Sequence, residues 1–272
     1  MPELPEVETT RRGLAPLIEN RQIAHITIHN PRLRHPVDQT RLHALKNARF
    51  TTPARRGKYL WLHTDRPEES LLIHLGMSGS LRVNPPRTPR KTHDHIEITL
   101  DNQHILRLHD PRRFGMLNVE NPNAPPAYLQ TLGAEPLSDT FTPAYLLAHM
   151  QGRESAIKTR LMNQNIVVGV GNIYASEALF KSGIDPRRPA KTLNINEAET
   201  LVAAVKTILT HAIAVGGTTL RDFIHSDGSP GYFQQTLNVY GKSGQPCPQC
   251  QTPLASAQIG GRTTTYCPNC QR

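Results

Sequence analysis

The sequence predicts an α+β protein with a strand-rich first half, a helical second half and a metal-bound hairpin at its end. Three observations predict this class. Short apolar or alternating segments, separated by turn residues, fill the first 130 or so residues. Segments with helical spacing follow from residue 143 onward. All four cysteines lie within residues 247–270.

A helix is predicted near the start of the chain. Pro5 suits its first turn, because proline has no backbone N–H to leave unpaired. The carboxylates of Glu6 and Glu8 favour the positive end of a helix dipole. Pro16 is expected to end or kink this helix.

Seven strand-like segments follow this helix. They are Ile23–Ile28, Tyr59–His63, Leu71–Leu75, Ser80–Val83, Ile96–Leu100, His104–Leu108 and Met116–Val119. Turn residues separate them, which indicates an antiparallel β-sandwich or barrel. The most linker-like segment, Asn121–Pro126, comes after the last of them.

The second half shows helical periodicity. The predicted helices are Pro143–Gln151, Glu154–Leu161, Tyr174–Lys181 and Glu197–Val215. In the last of them, the apolar residues with helical spacing are Ala198, Leu201, Val202, Val205, Ile208, Leu209 and Ala212. Gly216-Gly217 is expected to end it.

The four cysteines predict a structural zinc site. Their spacing is C-x2-C, then 16 residues, then C-x2-C, formed by Cys247, Cys250, Cys267 and Cys270. Two such pairs are typical of a tetrahedral four-thiolate Zn²⁺ site. A site closed by four thiolates leaves no open coordination position, so this zinc is predicted to be structural and not catalytic.

A hairpin is predicted between the two cysteine pairs. Leu254–Ile259 and Arg262–Tyr266 are strand-like, and Gly260-Gly261 is a favoured two-residue hairpin turn. Arg262 is therefore placed at the tip of the finger. Its position alone fits either a solvated turn residue or a cation that enters a DNA groove.

Composition and charge narrow the function classes. Apolar residues make up 37% of the chain, which is close to a normal globular composition and excludes disorder for most of it. No segment approaches the 18 or so apolar residues needed to cross a bilayer. The net charge of +9 is typical of proteins that bind nucleic acids. The acidic N-terminus is unlike a secretory signal, so the protein is expected in the cytosol.

A glycine-rich turn, Gly169-Val170-Gly171, precedes a predicted helix. It lacks the third glycine and the βαβ context of a dinucleotide site, and no Walker loop is present, so no nucleotide cofactor is expected. The turn with Asn172 can still expose backbone N–H groups to a phosphate. An ordinary helix cap explains it equally well.

The N-terminus offers a possible nucleophile. Removal of Met1 would give Pro2 a free secondary α-amine, and α-amines have a lower reference pKa than lysine side chains. Attack on a sugar carbon can lead to an iminium ion, which is an efficient electron sink. Glu3 could then act as a general acid or base. Without further context, these residues fit a frayed terminus as well.

Six motifs occur in an order that resembles the formamidopyrimidine-DNA glycosylase family, the bacterial 8-oxoguanine repair enzymes and AP lyases. They are MPELPEVE at the start, RGKYL at 56–60, HLGMSG at 74–79, DPRRFG at 110–115, VGVGNIYASE at 168–177 and the four-cysteine finger. The resemblance implies an N-terminal β-sandwich with flanking helices, a helix–two-turns–helix module and a zinc finger.

The resemblance also implies four catalytic residues. Pro2 would attack C1′ of the damaged nucleotide and form a Schiff base. Glu3 would assist opening of the sugar and proton transfer. Lys58 matches the lysine that donates a proton in β-elimination, and Arg262 matches the finger arginine of the δ-elimination step.

Further residues match DNA-contacting positions of the family. Those that fill the void left by the extruded base are Met77, Arg112 and Phe114. His93, Arg153 and Lys158 match other DNA contacts, and Asn172 matches a phosphate-binding position. Arg153 stands where relatives can have lysine, which keeps the charge. The segment Arg221–Tyr232 resembles the loop that closes over the extruded base.

These features together predict a bifunctional glycosylase and AP lyase that removes oxidised purines from double-stranded DNA in base excision repair. The predicted domains are a catalytic sandwich with its helix (1–131), a helix–two-turns–helix DNA-binding domain (132–237) and the zinc finger (238–272). A bacterial, cytoplasmic, nucleoid-associated monomer is expected. The alternatives are an endonuclease VIII-like glycosylase for oxidised pyrimidines, which DPRRFG disfavours, and a non-catalytic zinc-ribbon DNA-binding protein.

Overall fold

The computed structural model of the chain describes residues 2–216 and 237–272. The segment Arg221–Tyr232, for which a closing loop was predicted, lies outside the described residues. One compact unit contains residues 2–130, and a second contains residues 131–214 with 237–272. Within the described ranges, none of the helices combines the length and the apolar character needed to cross a bilayer.

Helix α1 (Leu4–Ile18) begins the first unit as predicted. Glu3 is its N-cap residue, and Pro5 and Glu6 lie in its first turn. The helix ends two residues beyond Pro16, because a proline in the last turn removes only one intrahelical hydrogen bond.

Eight strands form two four-stranded antiparallel sheets in the first unit. The first sheet has the order β1 (Ile23–Ile28), β6 (Asp94–Leu100), β7 (Ile105–His109), β5 (Ser80–Asn84). The second has the order β2 (Ala54–Arg56), β3 (Tyr59–Leu62), β4 (Ser70–His74), β8 (Met116–Glu120). Seven of these strands match the seven predicted segments to within two residues at each end.

The two sheets share one hydrophobic core. Ile26 and Leu106 of the first sheet, Leu60 and Ile73 of the second, and Leu14 of α1 belong to the same buried cluster. Two separate sheets that bury a common core are a sandwich, so the structure decides between the sandwich and the barrel.

Three elements of this unit were not predicted from the sequence. Strand β2 has only three residues, two of them arginines, so it carries no apolar pattern. Helix α2 (Gln39–Ala44) is short, and Asp38 caps it by accepting the Arg41 N–H at 3.0 Å. A second short helix, α3 (Ala127–Gln130), follows the predicted linker.

The second unit contains four further helices. They are α4 (Pro143–Met150), α5 (Ile157–Leu161), α6 (Asn172–Lys181) and α7 (Ile195–Ala214). All seven apolar residues predicted to line one face of α7 are buried. Helix α7 packs against both α4 and α6, so this face forms the centre of the unit.

The helix predicted over Glu154–Leu161 begins only at Ile157, so its N-terminal part was predicted wrongly. Ala156 is extended and forms a β-bridge with Pro189. The carbonyl oxygen of Ser155 accepts the Ala190 N–H at 2.9 Å. This pairing with a distant segment outcompetes the helix that the local sequence favours.

The C-terminal hairpin has the predicted form. Strands β9 (Ala255–Ile259) and β10 (Arg262–Tyr266) are joined by Gly260-Gly261, and both glycines have positive φ. The buried Glu177 of α6 accepts the backbone N–H groups of Asn238, Val239 and Tyr240 at 2.8–2.9 Å. The segment that leads into the finger is therefore held against α6 by these hydrogen bonds.

Candidate functional site

The N-terminal residues are buried. Pro2 is buried, and Glu3 is 1% exposed. The Glu3 backbone N–H donates to the Glu6 carboxylate at 2.8 Å, within a capping box at the start of α1. This bond fixes the backbone next to Pro2. The start of the described chain is therefore part of the folded structure and is not a frayed terminus.

Lys58 lies in the two-residue turn between β2 and β3 and is 7% exposed. Gly57, which precedes it, has a φ of +56°. A chain of contacts connects this turn to α1. Glu8 lies 3.2 Å from the Arg55 guanidinium, and Arg55 donates to the Gly57 carbonyl at 2.9 Å. The helix that begins at Glu3 therefore supports the turn that carries Lys58.

Glu8 is held as a carboxylate. Burial would raise its pKa, but hydrogen bonds from Arg11 and Arg12 and the charges of Arg11 and Arg55 outweigh that effect and lower the pKa to about 2. Glu8 therefore keeps its negative charge at neutral pH and continues to bind Arg55.

His74, at the end of β4, shapes the loop that carries Met77. Its Nδ1 accepts the Gly76 N–H at 3.0 Å, which requires an unprotonated ring nitrogen. Burial, together with the positive charges of Lys58 and Arg34, lowers the pKa of His74 to about 4. The imidazole is therefore neutral at physiological pH, and this bond is preserved.

The predicted void-filling residues come from two adjoining loops. Met77 lies between β4 and β5, and Phe114 lies between β7 and β8 and is 46% exposed. The loops touch at Gly76, where an added Cβ would lie 2.4 Å from the Phe114 carbonyl carbon. Arg112 places its guanidinium 4.9 Å from the centre of the Phe114 ring. An exposed aromatic ring with a cation above it is suited to contact nucleobases.

Asp110 connects these loops to His93. Its buried carboxylate accepts the Gly115 N–H at 2.7 Å and a hydrogen bond from Ser78 at 3.4 Å. Its backbone N–H donates to the His93 carbonyl at 3.0 Å. His93 is exposed, so the structure brings this predicted DNA contact close to the void-filling loops.

In the second unit, Asn172 is the first residue of α6, and Gly171 is its N-cap residue. The Asn172 amide donates to the Thr263 carbonyl at 3.1 Å. Its Oδ1 accepts from the amine of Lys158 at 2.5 Å. Lys158 is fully buried and also donates to Thr264 Oγ1 at 2.5 Å. The structure thus places Lys158 behind Asn172, whereas a direct DNA contact would require an exposed amine.

Asn172 and Arg262 line the same open cleft of about 400 Å³. Tyr240 and the Gly261 backbone also line it, and Arg262 is exposed at the tip of the hairpin. A helix N-terminus, an amide and a guanidinium are donors suited to a phosphate. Arg153, also exposed, lies apart from this group in the segment between α4 and α5.

The four cysteine sulfur atoms lie within 4.8 Å of one another. Cys250 and Cys267 are 3.4 Å apart, and Cys247 and Cys270 are 3.9 Å apart. Four thiolates around one Zn²⁺ are separated by about 3.8 Å, since each Zn–S bond is about 2.3 Å. The cluster therefore fits one structural zinc ion and does not fit two disulfides.

Three family models match successive parts of the chain. Residues 1–117 match the N-terminal domain of formamidopyrimidine-DNA glycosylase, and residues 132–224 match its H2TH domain. Residues 244–272 match the zinc finger found in FPG and IleRS.

Curated relatives match along the whole length. A formamidopyrimidine-DNA glycosylase of Dichelobacter nodosus is 53% identical and is covered completely, as is this chain. The chain belongs to the formamidopyrimidine-DNA glycosylase family. A second member, from Hydrogenovibrio crunogenus, is 52% identical over all of this chain and 97% of its own.

Solved structures agree with this family. The MutM (FPG) protein of Thermus thermophilus is 37% identical, with a TM-score of 0.88 over 99% of this chain and 98% of its own. A variant of the Lactococcus lactis FPG protein, in complex with DNA containing Fapy-dG, is 31% identical, with a TM-score of 0.92 over all of both chains.

The predicted family, α+β fold class, enzyme class and zinc finger are thereby confirmed, and neither alternative function is favoured. Sequence reasoning placed Glu8 near the start of a helix but did not connect it to Lys58, and it assigned no roles to His74, Asp110, Glu177 or Tyr240. The first four lie inside the motifs quoted above, so their membership of a motif could have drawn attention to them. Tyr240 lies outside them and had no such signal.

Proposed function

We propose that the protein excises formamidopyrimidines and 8-oxoguanine from double-stranded DNA and then cleaves the strand at the resulting site. The observation that carries this proposal is the burial of Pro2 and Glu3 at the start of α1. The capping box at the start of α1 would hold the Pro2 nitrogen and the Glu3 side chain in one fixed arrangement, as a nucleophile and its acid or base require. The names and DNA complexes of the relatives support the same substrate class.

The first step would begin once removal of Met1 exposes the Pro2 amine. The Pro2 nitrogen attacks C1′ as the bond between C1′ and the damaged base breaks. The base leaves with the bonding electrons and takes up the proton that the Pro2 nitrogen loses. Glu3 protonates the sugar ring oxygen as the ring opens, which leaves an iminium ion between Pro2 and C1′.

Strand cleavage would follow from this iminium. Loss of a C2′ proton expels the 3′ phosphate, with Lys58 acting in proton transfer. Loss of the C4′ proton then expels the 5′ phosphate in a second elimination, which is assigned to Arg262. Hydrolysis of the iminium finally releases Pro2.

The DNA would be held by both units. Met77, Arg112 and Phe114 would fill the gap left by the extruded base, with His93 beside them. In the second unit, Asn172 and Arg262 would bind a phosphate in their common cleft, Lys158 would orient Asn172, and Arg153 would add an exposed charge. These roles fit a sandwich domain at 1–131, a DNA-binding domain at 132–237 and a finger at 238–272. We expect a monomer that acts on chromosomal DNA in the cytoplasm.

Borohydride trapping tests this proposal. Protein confirmed to begin at Pro2 is incubated with a duplex carrying 8-oxoguanine opposite cytosine, and the cross-linked peptide is mapped. We expect a covalent adduct on Pro2. The matched controls carry the same short peptide either before Pro2 or after Arg272, and only the N-terminal extension should abolish trapping. Trapping on another residue, or trapping that survives the N-terminal extension, would contradict the assigned nucleophile.

A further inference from the structure

A positively charged loop connects β5 to β6. Residues 85–93, which we call the basic loop, contain Arg87, Arg90, Lys91 and His93 and no acidic residue. All four of these side chains are exposed. The two arginines and the lysine supply three charges in a protein whose net charge is +9.

Buried charged residues hold the backbone of the basic loop. Arg107 is 5% exposed, and its guanidinium donates to the carbonyl groups of Thr88 at 2.6 Å and Pro89 at 3.0 Å. Asp94 is 3% exposed and accepts the Lys91 N–H at 2.8 Å. Burying a charge is costly unless it is paired and hydrogen-bonded, so these two residues are well explained as supports for the loop.

The buried network behind the loop leaves no room for a ligand. Arg107 also lies 2.7 Å from Glu97, and Asp94 is bonded to His109 at 2.8 Å. The cavity lined by Asp94, Arg107 and His109 has a volume of about 20 Å³, enough for one water molecule. Any recognition must therefore occur on the outer face of the loop.

The exposed cations of the loop have no carboxylate partner in the part of the chain that the structure describes. Among residues 2–216 and 237–272, no carboxylate forms an ion pair with Arg87, Arg90 or Lys91. The Arg90 guanidinium donates a long hydrogen bond, at 3.4 Å, to the Asp94 carbonyl. Three prolines restrict the backbone of the loop, which lowers the backbone entropy that the loop would lose on binding a ligand.

The basic loop is continuous with the proposed DNA contacts of the same unit. It ends at His93, whose carbonyl accepts the Asp110 N–H at 3.0 Å. The Asp110 carboxylate in turn holds Gly115, the neighbour of Phe114. DNA held by Phe114 and His93 would therefore have phosphates close to the loop.

We propose that the basic loop binds backbone phosphates of duplex DNA on the flank of the lesion and lengthens the protein's footprint. This inference rests on the proposed function. Guanidinium and ammonium groups bind phosphates through charge-assisted hydrogen bonds, without regard to base sequence. The loop would therefore add affinity and salt dependence to binding, and it would not add base specificity.

A charge-removal experiment tests the proposal. The triple variant Arg87→Gln, Arg90→Gln, Lys91→Gln is compared with the control triple Arg41→Gln, Lys46→Gln, Lys181→Gln, which removes three exposed charges elsewhere. Binding to a 30-base-pair duplex with a stable abasic analogue is measured between 50 and 200 mM salt. The salt exponent is the slope of log affinity against log salt concentration, and each phosphate contact adds about 0.9 to its magnitude. If the loop makes two or three such contacts, the affinity of the parent should fall roughly 10- to 40-fold more over this range than the affinity of the loop triple.

Phosphate ethylation interference then locates the contacts. We expect a small group of phosphates on one side of the lesion at which ethylation weakens DNA binding by the parent and does not weaken DNA binding by the loop triple. The charge-conserving variant Arg87→Lys, Arg90→Lys should keep both the salt exponent and these positions. A global loss of fold would be revealed by a lowered melting temperature of the triple, and the single variants Arg87→Gln, Arg90→Gln and Lys91→Gln would then decide, because each should lower the salt exponent if its side chain contacts a phosphate.

The outcomes separate this inference from the proposed function. If the parent fails to bind the lesion duplex, the proposed function is overturned. If the parent binds and the two triples have the same salt exponent, the loop contributes only to net charge and the inference is wrong. An interference pattern that is unchanged in the loop triple would also overturn it.

Discussion

Two hairpin turns each present a cation that we assign to strand cleavage, and the fold supports them in different ways. Gly57 and Lys58 join β2 to β3 in the sandwich, and Lys58 is 7% exposed. Gly260 and Gly261 join β9 to β10 in the finger, and Arg262, which follows them, is exposed. An ion-pair chain on an apolar core supports the first turn, whereas four cysteines support the second.

The difference follows from the chemistry of the two side chains. The pKa of a lysine responds strongly to burial and to neighbouring charges, whereas arginine remains protonated in proteins. A lysine that transfers protons benefits from a buried, fixed environment. An arginine that supplies charge to a phosphate can do so from an exposed finger, provided that the finger is rigid. A small hairpin without a large core obtains this rigidity from a metal.

Zinc removal should produce the largest effect and should act on the finger turn alone. In the Cys247→Ser variant, or after chelation, we expect the finger to unfold and the affinity for lesion DNA to fall by at least about tenfold. Trp61 in β3, the single tryptophan of the chain, should keep its fluorescence, because it reports on the sandwich. Zinc release is followed with a chromophoric chelator.

Re-addition of zinc to the chelated protein serves as the control and should restore binding. Binding that is unchanged after verified zinc loss would show that the finger is not needed to hold DNA. A change in Trp61 fluorescence in parallel with zinc release would show that unfolding of the finger also changes the structure of the sandwich.

Glu8→Gln should weaken the sandwich turn and leave the finger intact. It removes the buried carboxylate that pairs with Arg11 and with the half-buried Arg55, so we expect the free energy of unfolding at pH 7 to fall by about 3 kcal/mol. The pKa of Glu8 is lowered from its ordinary value of 4.5 to about 2. The stabilisation it provides is therefore complete above about pH 4.5 and is lost as the pH falls toward 2.

The difference in stability between parent and Glu8→Gln is measured by denaturant unfolding, with Trp61 fluorescence as the signal. It should be largest at pH 7 and should shrink below pH 4.5. Glu69→Gln, which removes a more exposed carboxylate paired with Arg66, is the matched control and should cost less than about 1 kcal/mol. A difference that does not vary with pH would contradict the assigned ionisation of Glu8.

Arg262→Gln should have the smallest effect on stability and a clear effect on the products. Because its side chain is exposed, the free energy of unfolding should change by less than about 0.5 kcal/mol. Gel analysis of cleaved DNA should show accumulation of the β-elimination product. Arg272→Gln, an exposed arginine at the chain end, is the control and should give the parental products. Parental products from Arg262→Gln would remove this arginine from the second elimination.

Most of the regular structure could be predicted from the sequence because its signals are local. Seven strands, helix α7 and the finger hairpin follow from alternation, helical spacing and the glycine pair. The errors lie where a distant segment intervenes. Residues 154–156 look helical by themselves, but they are not helical, because this segment pairs with residues near Pro189.

The sequence by itself determined the family, the four-cysteine zinc ligand set and the identity of the candidate catalytic residues, since these depend on residue types at set spacings. Only the tertiary structure decided that Lys58 and Lys158 are buried, that Gly76 abuts Phe114 and that Glu8 supports the lysine turn through Arg55. The physical reason is that burial, close approach and ion pairing are set by neighbours far away in the chain. A local pattern carries no information about those neighbours until the chain has folded.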